Sequence, residues 1–220
     1  GFNYRFIPVF SDVITPDPEV AAIIEKVRAP YEKELSRVIG QTDSLLYRRG
    51  SFNGTVDDLI CNALLEQRDA EIALSPGFRW GPSLLPGQKI TVEDIYNVCA
   101  ITYPAAYRTT MSGEQLKAIF EDVADNLFNP DPYYQQGGDM VRVGGLGYTI
   151  DTKQKIGQRI SNMTELKTNK PIDLNKDYVV AGWASINEAT KGPPIWEVIE
   201  NYLKDHTPVK VEANDSIKIK

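Results

Sequence analysis

The sequence predicts an α+β domain of mixed, largely antiparallel sheets with helices packed outside them. Three observations carry the fold class. Helix-periodic and strand-like segments follow one another in irregular order, whereas a parallel doubly wound sheet needs strict alternation. Apolar residues are 42% and charged residues 25% of 220, enough to bury a core without disulfides or metals. Three cap-like Thr or Ser starts each precede an apolar-periodic run, which fixes where helices begin.

Taken in order, the chain opens with an extended GFNYRFIPVF that has no helix start, which suggests a chain cut from something longer. PDPEVAAIIEKVRAPYEKELSRVIG then places Val20, Ile23, Ile24, Val27, Tyr31, Leu35 and Val38 on one helix face. Asp17-Pro18 suits its start, Gly40 its stop, and Pro30 should bend or divide it. Residues 1–40 therefore read as a lead-in and linking helix, and 41–220 as the main domain. Thr55 and Thr91, each three residues before an aspartate, open the next helices, and Ser112, three before Gln115, opens a third. Strand-like segments lie at 71–75, 105–111, 140–150, 158–166 and 177–185, with VKVEA and SIKIK in the tail. GPPIWEVIENYLKD supplies a last helix.

Composition removes several function classes. A net charge of 24 − 30 = −6 disfavours nucleic acid and anionic membranes as partners. With His206 the sole histidine, and no HExxH or CxxC, the chain lacks the ligands of a transition-metal site. No GxSxG elbow and no P-loop is present. Cys61 and Cys99 fall within apolar helical patterns and read as buried free thiols, with a disulfide as the alternative.

Chemistry-bearing residues concentrate in loops. SPGFRWG sets Arg79 between Phe78 and Trp80, flanked by Gly77 and Gly81. An arginine there can grip an oxyanion bidentately, about 4 kcal/mol for a pair ~4 Å apart at an effective dielectric near 20; stacked on Trp80 it is simply surface packing. Tyr103, before Pro104, stands at a strand entrance. In NPDPYYQQGGDMVR, Tyr133, Tyr134 and Gln135 offer flat faces and amides, Gly137 and Gly138 permit close backbone approach, and Asp139 either pairs with Arg142 or leaves it to reach an anion. Trp183 ends another strand and serves either core or ligand platform.

These stretches, with AITYPAAYRTTMSGEQLK and EDVADNLFNPDPYYQQGGDMVRVGGLGYTID, resemble the C-terminal domain of the 5'-nucleotidase superfamily, and within it the SoxB thiosulfohydrolase family, over essentially the whole chain. The resemblance implies a 5'-nucleotidase C-terminal-domain-like fold and a separate N-terminal metallophosphoesterase domain holding two manganese ions. It further implies a periplasmic hydrolase that releases sulfate from a cysteine S-thiosulfonate on the glycine-rich arm of the SoxYZ carrier protein. Arg79 inherits a substrate-charge role by position. Nucleotidases carry a Phe-bearing Gly-Gly-Asp loop after a late strand; here that place reads GWASINEATKGPP, and the Gly-Gly-Asp lies at 137–139. The departure favours a protein-borne arm over a nucleotide. This chain alone is expected to contain no catalytic residue, no metal ligand and no hydrolytic activity. A nucleotidase-type specificity domain and a non-catalytic binding module are the alternatives.

Overall fold

The computed structural model describes residues 1–10, 12–48, 50–78, 80–187 and 189–220. The chain divides into two units, Gly1–Arg37 and Val38–Lys220. In the first, α1 (Pro18–Arg28) follows an extended lead-in, and α2 (Glu32–Leu35) is a single turn. The Asp17 carboxylate accepts from the Glu19 and Val20 amides at 3.0 Å, and Pro18 takes the first turn, as the Asp-Pro pair predicts. Pro30 divides the helix rather than bending it. None of the residues of α1 is buried within the chain.

In the second unit the helical periodicity does not extend as far as the sequence suggests. Val38 and Gly40 belong to β1 (Val38–Gln41), not to a helix end. The elements that follow are α3 (Thr55–Gln67), β2 (Ile72–Ser75), β3 (Lys89–Thr91), α4 (Val92–Cys99), β4 (Tyr107–Ser112) and α5 (Gly113–Phe128). Then come β5 (Arg142–Gly144), β6 (Leu146–Ile150), β7 (Ile160–Glu165), β8 (Lys170–Pro171), β9 (Asp177–Gly182), α6 (Ile195–Asp205) and β10 (Ile217–Ile219). β1 pairs antiparallel with β3, and that pairing outcompetes helix continuation.

Two four-stranded sheets complete the architecture, in the orders β10-β6-β7-β8 and β4-β9-β2-β5. Pairings are antiparallel except β2 with β9 and β10 with β6, so the predicted α+β class with mixed, largely antiparallel sheets is what forms. The single predicted strand over 140–150 is two strands in different sheets, β5 and β6. Gly145, at φ +72°, makes the break, because only glycine adopts that conformation without strain. The VKVEA segment forms no strand; Val209 bridges Thr42 instead.

In the central sheet, β4-β9-β2-β5, the strands β9, β2 and β5 are largely buried on both faces, while the edge strand β4 is more exposed. Alternate residues of β2 and β9 serve two apolar clusters: Ala73 and Ala181 one, Ile72, Leu74, Tyr178 and Val180 the other. This is why both strands read as continuous apolar runs. Helix α3 fills the first cluster with Val56, Leu59, Ile60, Ala63 and Leu64, and is buried nearly all round. Helix α5 covers the second with Leu116, Phe120 and Ala124. Caps form at Thr91 and Ser112 as predicted, and each cap residue's amide donates in return to the Asp94 or Gln115 side chain. At α3 the cap shifts by one: Asp57 accepts from the Gly54 amide at 2.9 Å, while Thr55 Oγ1 donates to the Leu45 carbonyl.

Candidate functional site

The register of the central sheet gathers the loops that carry the notable residues. Ser75 pairs with Arg142, Leu74 with Gly182, and Tyr107 with Gly182. The C-terminal ends of β2 and β9 and the N-terminal ends of β4 and β5 therefore lie at one end of the sheet. Four connections emerge there: residues 76–81, 100–106, 129–141 and 183–194. Trp80, Tyr103, Tyr133, Tyr134, Gln135, Gly137, Gly138, Asp139, Arg142 and Trp183 all belong to these connections or to the strand ends that support them. Arg79 lies outside the described residues.

The first connection is pinned at both ends. A Cβ at Gly77 would stand 2.7 Å from the Met140 carbonyl oxygen and 2.8 Å from Asp139 Cβ, so the 76–81 and 129–141 segments touch there. Gly81, at φ +112°, presses on Val98 of α4, where a Cβ would come 2.5 Å from a methyl carbon. Between them Phe78 stacks on Trp80, ring centroids 3.8 Å apart at 27°. The Phe78 ring also meets Trp183 edge-on at 5.9 Å. Trp183 is buried in the core and its indole Nε1 donates to Ser75 Oγ at 2.8 Å. Trp183 is thus a support beneath the loop rather than an open platform, while Trp80 is 42% exposed.

The 129–141 connection is built differently. Asn129 donates through Nδ2 to Asp125, and Arg159 donates to both Asp125 and the Phe128 carbonyl, which anchors the exit from α5. Asp131 caps a 3-10 turn, Pro132–Tyr134, and Gln135 Nε2 donates to the Asn129 carbonyl at 2.7 Å. Tyr133 is 95% and Tyr134 66% exposed, as a solvent-facing pair. Gly137 and Gly138 have φ of +81° and +89°, with no described atom within 4 Å of where a side chain would begin. Tyr103, also exposed, precedes Pro104, whose carbonyl accepts from the Ile195 amide; the 100–106 and 183–194 connections are stitched together by this bond and by Ala106 N to Pro193 O, both 2.8 Å.

Arg142 does not face solvent. Its side chain is 0% exposed, donates to the Gly50 carbonyl at 2.8 Å and to Asp139 at 3.3 Å, and lies 3.6 Å from Asp57. Of the two uses that the sequence left open for it, the geometry shows pairing with Asp139. Asp57 also stands 3.0 Å from Arg48, whose Nη1 donates to the Val98 carbonyl. Burial pushes the Asp57 carboxyl up, with Arg48 and the Gly54 amide pulling it back, and burial lowers the Arg48 guanidinium against the same partner. Arginine keeps its proton throughout, so the group is an ion-paired network whose desolvation its members offset mutually. Sequence reasoning missed Arg48 and Asp57. The signal available was an Asp-Asp pair at the head of an otherwise apolar helix, preceded in the sequence by an Arg-Arg pair a few residues upstream.

Both cysteines are buried and unbridged. Desolvation pushes Cys99 up to about 12 and Cys61 well above its ordinary value. His206 bonds Glu66 at 2.8 Å and stacks on Tyr202. Among the described residues no group of three or more His, Cys, Asp or Glu side chains gathers as metal ligands would. None of the described helices is long and apolar enough to cross a membrane.

The sequence model of the 5'-nucleotidase C-terminal domain family matches residues 38–207, and the chain belongs to that family. Among solved structures it is similar to the sulfate thiohydrolase SoxB of Thermus thermophilus, in complex with glycerol, at 32% identity and a TM-score of 0.91 over 98% of this chain and 41% of that one. A 5'-nucleotidase precursor from the same organism superposes with a TM-score of 0.74 at 19% identity, covering 91% of this chain and 43% of that one. The Haemophilus influenzae NAD nucleotidase gives 0.70 at 18% identity, over 93% and 41%. The last two show the fold alone. The chain spans about two fifths of the length of each of these proteins. No curated protein matches it in sequence.

Proposed function

We propose that this chain is the substrate-recognition domain of a SoxB-like thiosulfohydrolase, an enzyme that releases sulfate from a cysteine S-thiosulfonate carried on the glycine-rich arm of a SoxYZ-type carrier in the periplasm. The observation that carries the reading is the likeness to the sulfate thiohydrolase SoxB along 98% of this chain. The sheet-end geometry supports it: exposed tyrosines and two positive-φ glycines leave room for a second backbone. In this reading a separate metallophosphoesterase domain holds the two manganese ions of such an enzyme.

Within this reading the chain's own residues bind and orient. Tyr133, Tyr134 and Gln135 form one wall, Gly137 and Gly138 add no side-chain bulk to it, and Tyr103 stands at the neighbouring connection. Arg79 steadies the sulfonate by charge. Arg142 acts from behind, holding Asp139 and the Gly50 carbonyl rather than touching the ligand. Ordering a flexible arm costs entropy, so affinity is modest and release is fast.

Calorimetric titration of the chain with a glycine-rich peptide carrying cysteine S-thiosulfonate, against the same peptide with a free cysteine, tests the reading. Tighter binding of the modified peptide, lost in Arg79→Gln, is expected; equal binding of the two peptides overturns it. Family membership favours a second reading, a specificity domain of a 5'-nucleotidase-type phosphohydrolase. Saturable binding of a nucleoside monophosphate in place of the peptide would establish that reading instead.

A further inference from the structure

We infer that Arg48 is a positioning residue for the recognition surface. It shares one buried counter-charge, Asp57, with Arg142, and the two arginines hold the two supports of the 76–81 connection: Val98 against Gly81, and Asp139 against Gly77. The inference rests on the recognition reading above and adds the residue that sets the geometry of the surface from within the core.

Both supports can be followed atom by atom from Asp57. On one side its Oδ1 lies 3.0 Å from Arg48 Nε, and Arg48 Nη1 donates to the Val98 carbonyl at 2.7 Å, in the last turn of α4. Gly81 packs on that same residue: a Cβ there would come 2.5 Å from a Val98 methyl carbon and 3.5 Å from its Cα. On the other side Asp57 Oδ2 lies 3.6 Å from Arg142 Nε, and Arg142 Nη2 donates to Asp139 at 3.3 Å and to the Gly50 carbonyl at 2.8 Å. The Met140 amide donates to the Ser51 carbonyl at 3.0 Å. Residues 139 and 140, on which Gly77 packs, are therefore held by the segment that follows Arg48 in the chain. Gly54 brings Arg48 and Asp57 together. Its amide donates to Asp57 Oδ2 at 2.9 Å, and any Cβ on it would collide with the Tyr47 carbonyl oxygen.

Stability alone does not call for this arrangement. Arg48, Asp57 and Arg142 are all enclosed, and apolar side chains of similar volume hold a core at least as well as a buried ion pair does. Arg48 Nη2 and Arg142 Nη1 have no hydrogen-bond partner among the described residues, a cost that an apolar core avoids. What a buried guanidinium supplies and a leucine does not is direction. Its planar fork faces a carboxylate with one nitrogen and a particular carbonyl with another. Charge keeps the fork in place, because moving either arginine away from Asp57 leaves an unpaired charge in the interior. Lysine keeps the charge but not the fork, and one ammonium cannot occupy the positions of both Nε and Nη1.

The test uses the isotope-labelled 220-residue chain, first without ligand. The Trp80 indole resonance and the Gly77 and Gly81 amide resonances report the connection, the urea midpoint reports stability, and calorimetry with the glycine-rich S-thiosulfonate peptide reports recognition. Arg48→Lys and Arg48→Met are compared with Arg142→Lys and with Leu116→Ala, a core truncation in the other apolar cluster. Arg48→Lys is expected to move the Gly81 and Trp80 resonances more than that of Gly77, and Arg142→Lys to move Gly77 more than Gly81. Each should weaken the peptide roughly three- to tenfold. Leu116→Ala should lower the urea midpoint at least as far as Arg48→Lys and leave the three resonances and the peptide affinity as they are. If Arg48→Met fails to fold, Arg48→Lys decides, because it keeps the buried charge. An Arg48 variant that loses stability with the Gly81 and Trp80 resonances unmoved overturns the inference and leaves the recognition reading intact, as does equal displacement by Leu116→Ala. Moved resonances with unchanged peptide affinity overturn the bearing of Arg48 on binding. Moved resonances with no peptide binding to any form, the unaltered chain included, overturn the recognition reading while supporting the placement of the connection by Arg48.

Discussion

The two connections that meet at Gly77 contrast in how they are held. The 76–81 segment is pinned: glycines at both ends sit against neighbouring backbone or side chain, and its Phe78 ring meets a core tryptophan edge-on. The 129–141 segment is anchored at its roots, by Asp125 at one end and by the Arg142 network at the other, while Tyr133, Tyr134, Gly137 and Gly138 between them face open space. One is held by packing along its length, and the other is exposed in its middle. The difference teaches that residues of similar type do different work here according to what lies under them. Trp183 and Arg142 support; Trp80 and Tyr133 present.

That contrast can be broken most strongly from below. Burial opposes the charge of Asp57, but Asp57→Asn leaves Arg48 and Arg142 buried without their shared counter-charge. A loss of about 3–5 kcal/mol in urea unfolding is expected; a loss under about 1 kcal/mol would show that the network is not held by charge. Next comes a pair of glycine substitutions. Gly77→Ala drives a Cβ into the Met140 carbonyl and Asp139, with an expected cost of about 2 kcal/mol and a displaced loop. Gly137→Ala meets no described atom and carries only the left-handed backbone penalty, about 1 kcal/mol. Equal costs by chemical denaturation would erase the distinction between pinned and open segments.

Asp125 sharpens the comparison through pH. Bonds from Arg159 and then Asn129 hold its carboxyl below the ordinary value. A depressed folded-state pKa gives stability that is present above the unfolded value, about 4, and is lost as the pH falls through the folded one. Asp125→Asn should therefore cost about 1 kcal/mol at neutral pH and flatten the urea midpoint's decline below pH 4. The smallest effect is at the surface. Tyr133→Ala should change stability by less than about 0.5 kcal/mol, since nothing rests on the ring, while weakening peptide binding. Both thiols should stay unlabelled by a thiol reagent at pH 8 until the chain unfolds, because burial holds Cys99 at about 12 and Cys61 higher than usual.

Much of this was legible in the sequence, for physical reasons that particular residues show. Thr91 and Ser112 announce their helices because a cap is a local hydrogen bond between residues three apart. Asp17-Pro18 and Pro30 act locally too. Val38 and Gly40 misled because their partner, β3, lies some fifty residues away, and periodicity carries no information about non-local pairing. The break at Gly145 was hidden inside an apolar run whose two halves join different sheets. At the candidate site, loop membership was readable, since glycine and aromatic clusters mark loops. Burial was not. Arg142 looks as available as Arg79 in a string of letters, and only the arrival of Asp57 and Gly50 from another part of the chain shows that it is enclosed.

The central claim is that four connections at one sheet end form a single recognition surface. Backbone chemical-shift mapping of the labelled chain during titration with the glycine-rich S-thiosulfonate peptide tests it most directly. The account predicts perturbations at Trp80, Tyr103 and residues 133–139 that saturate together with one affinity, and none around His206 or the β10 edge. Shifts confined to a single connection, or centred away from this end of the sheet, would contradict it.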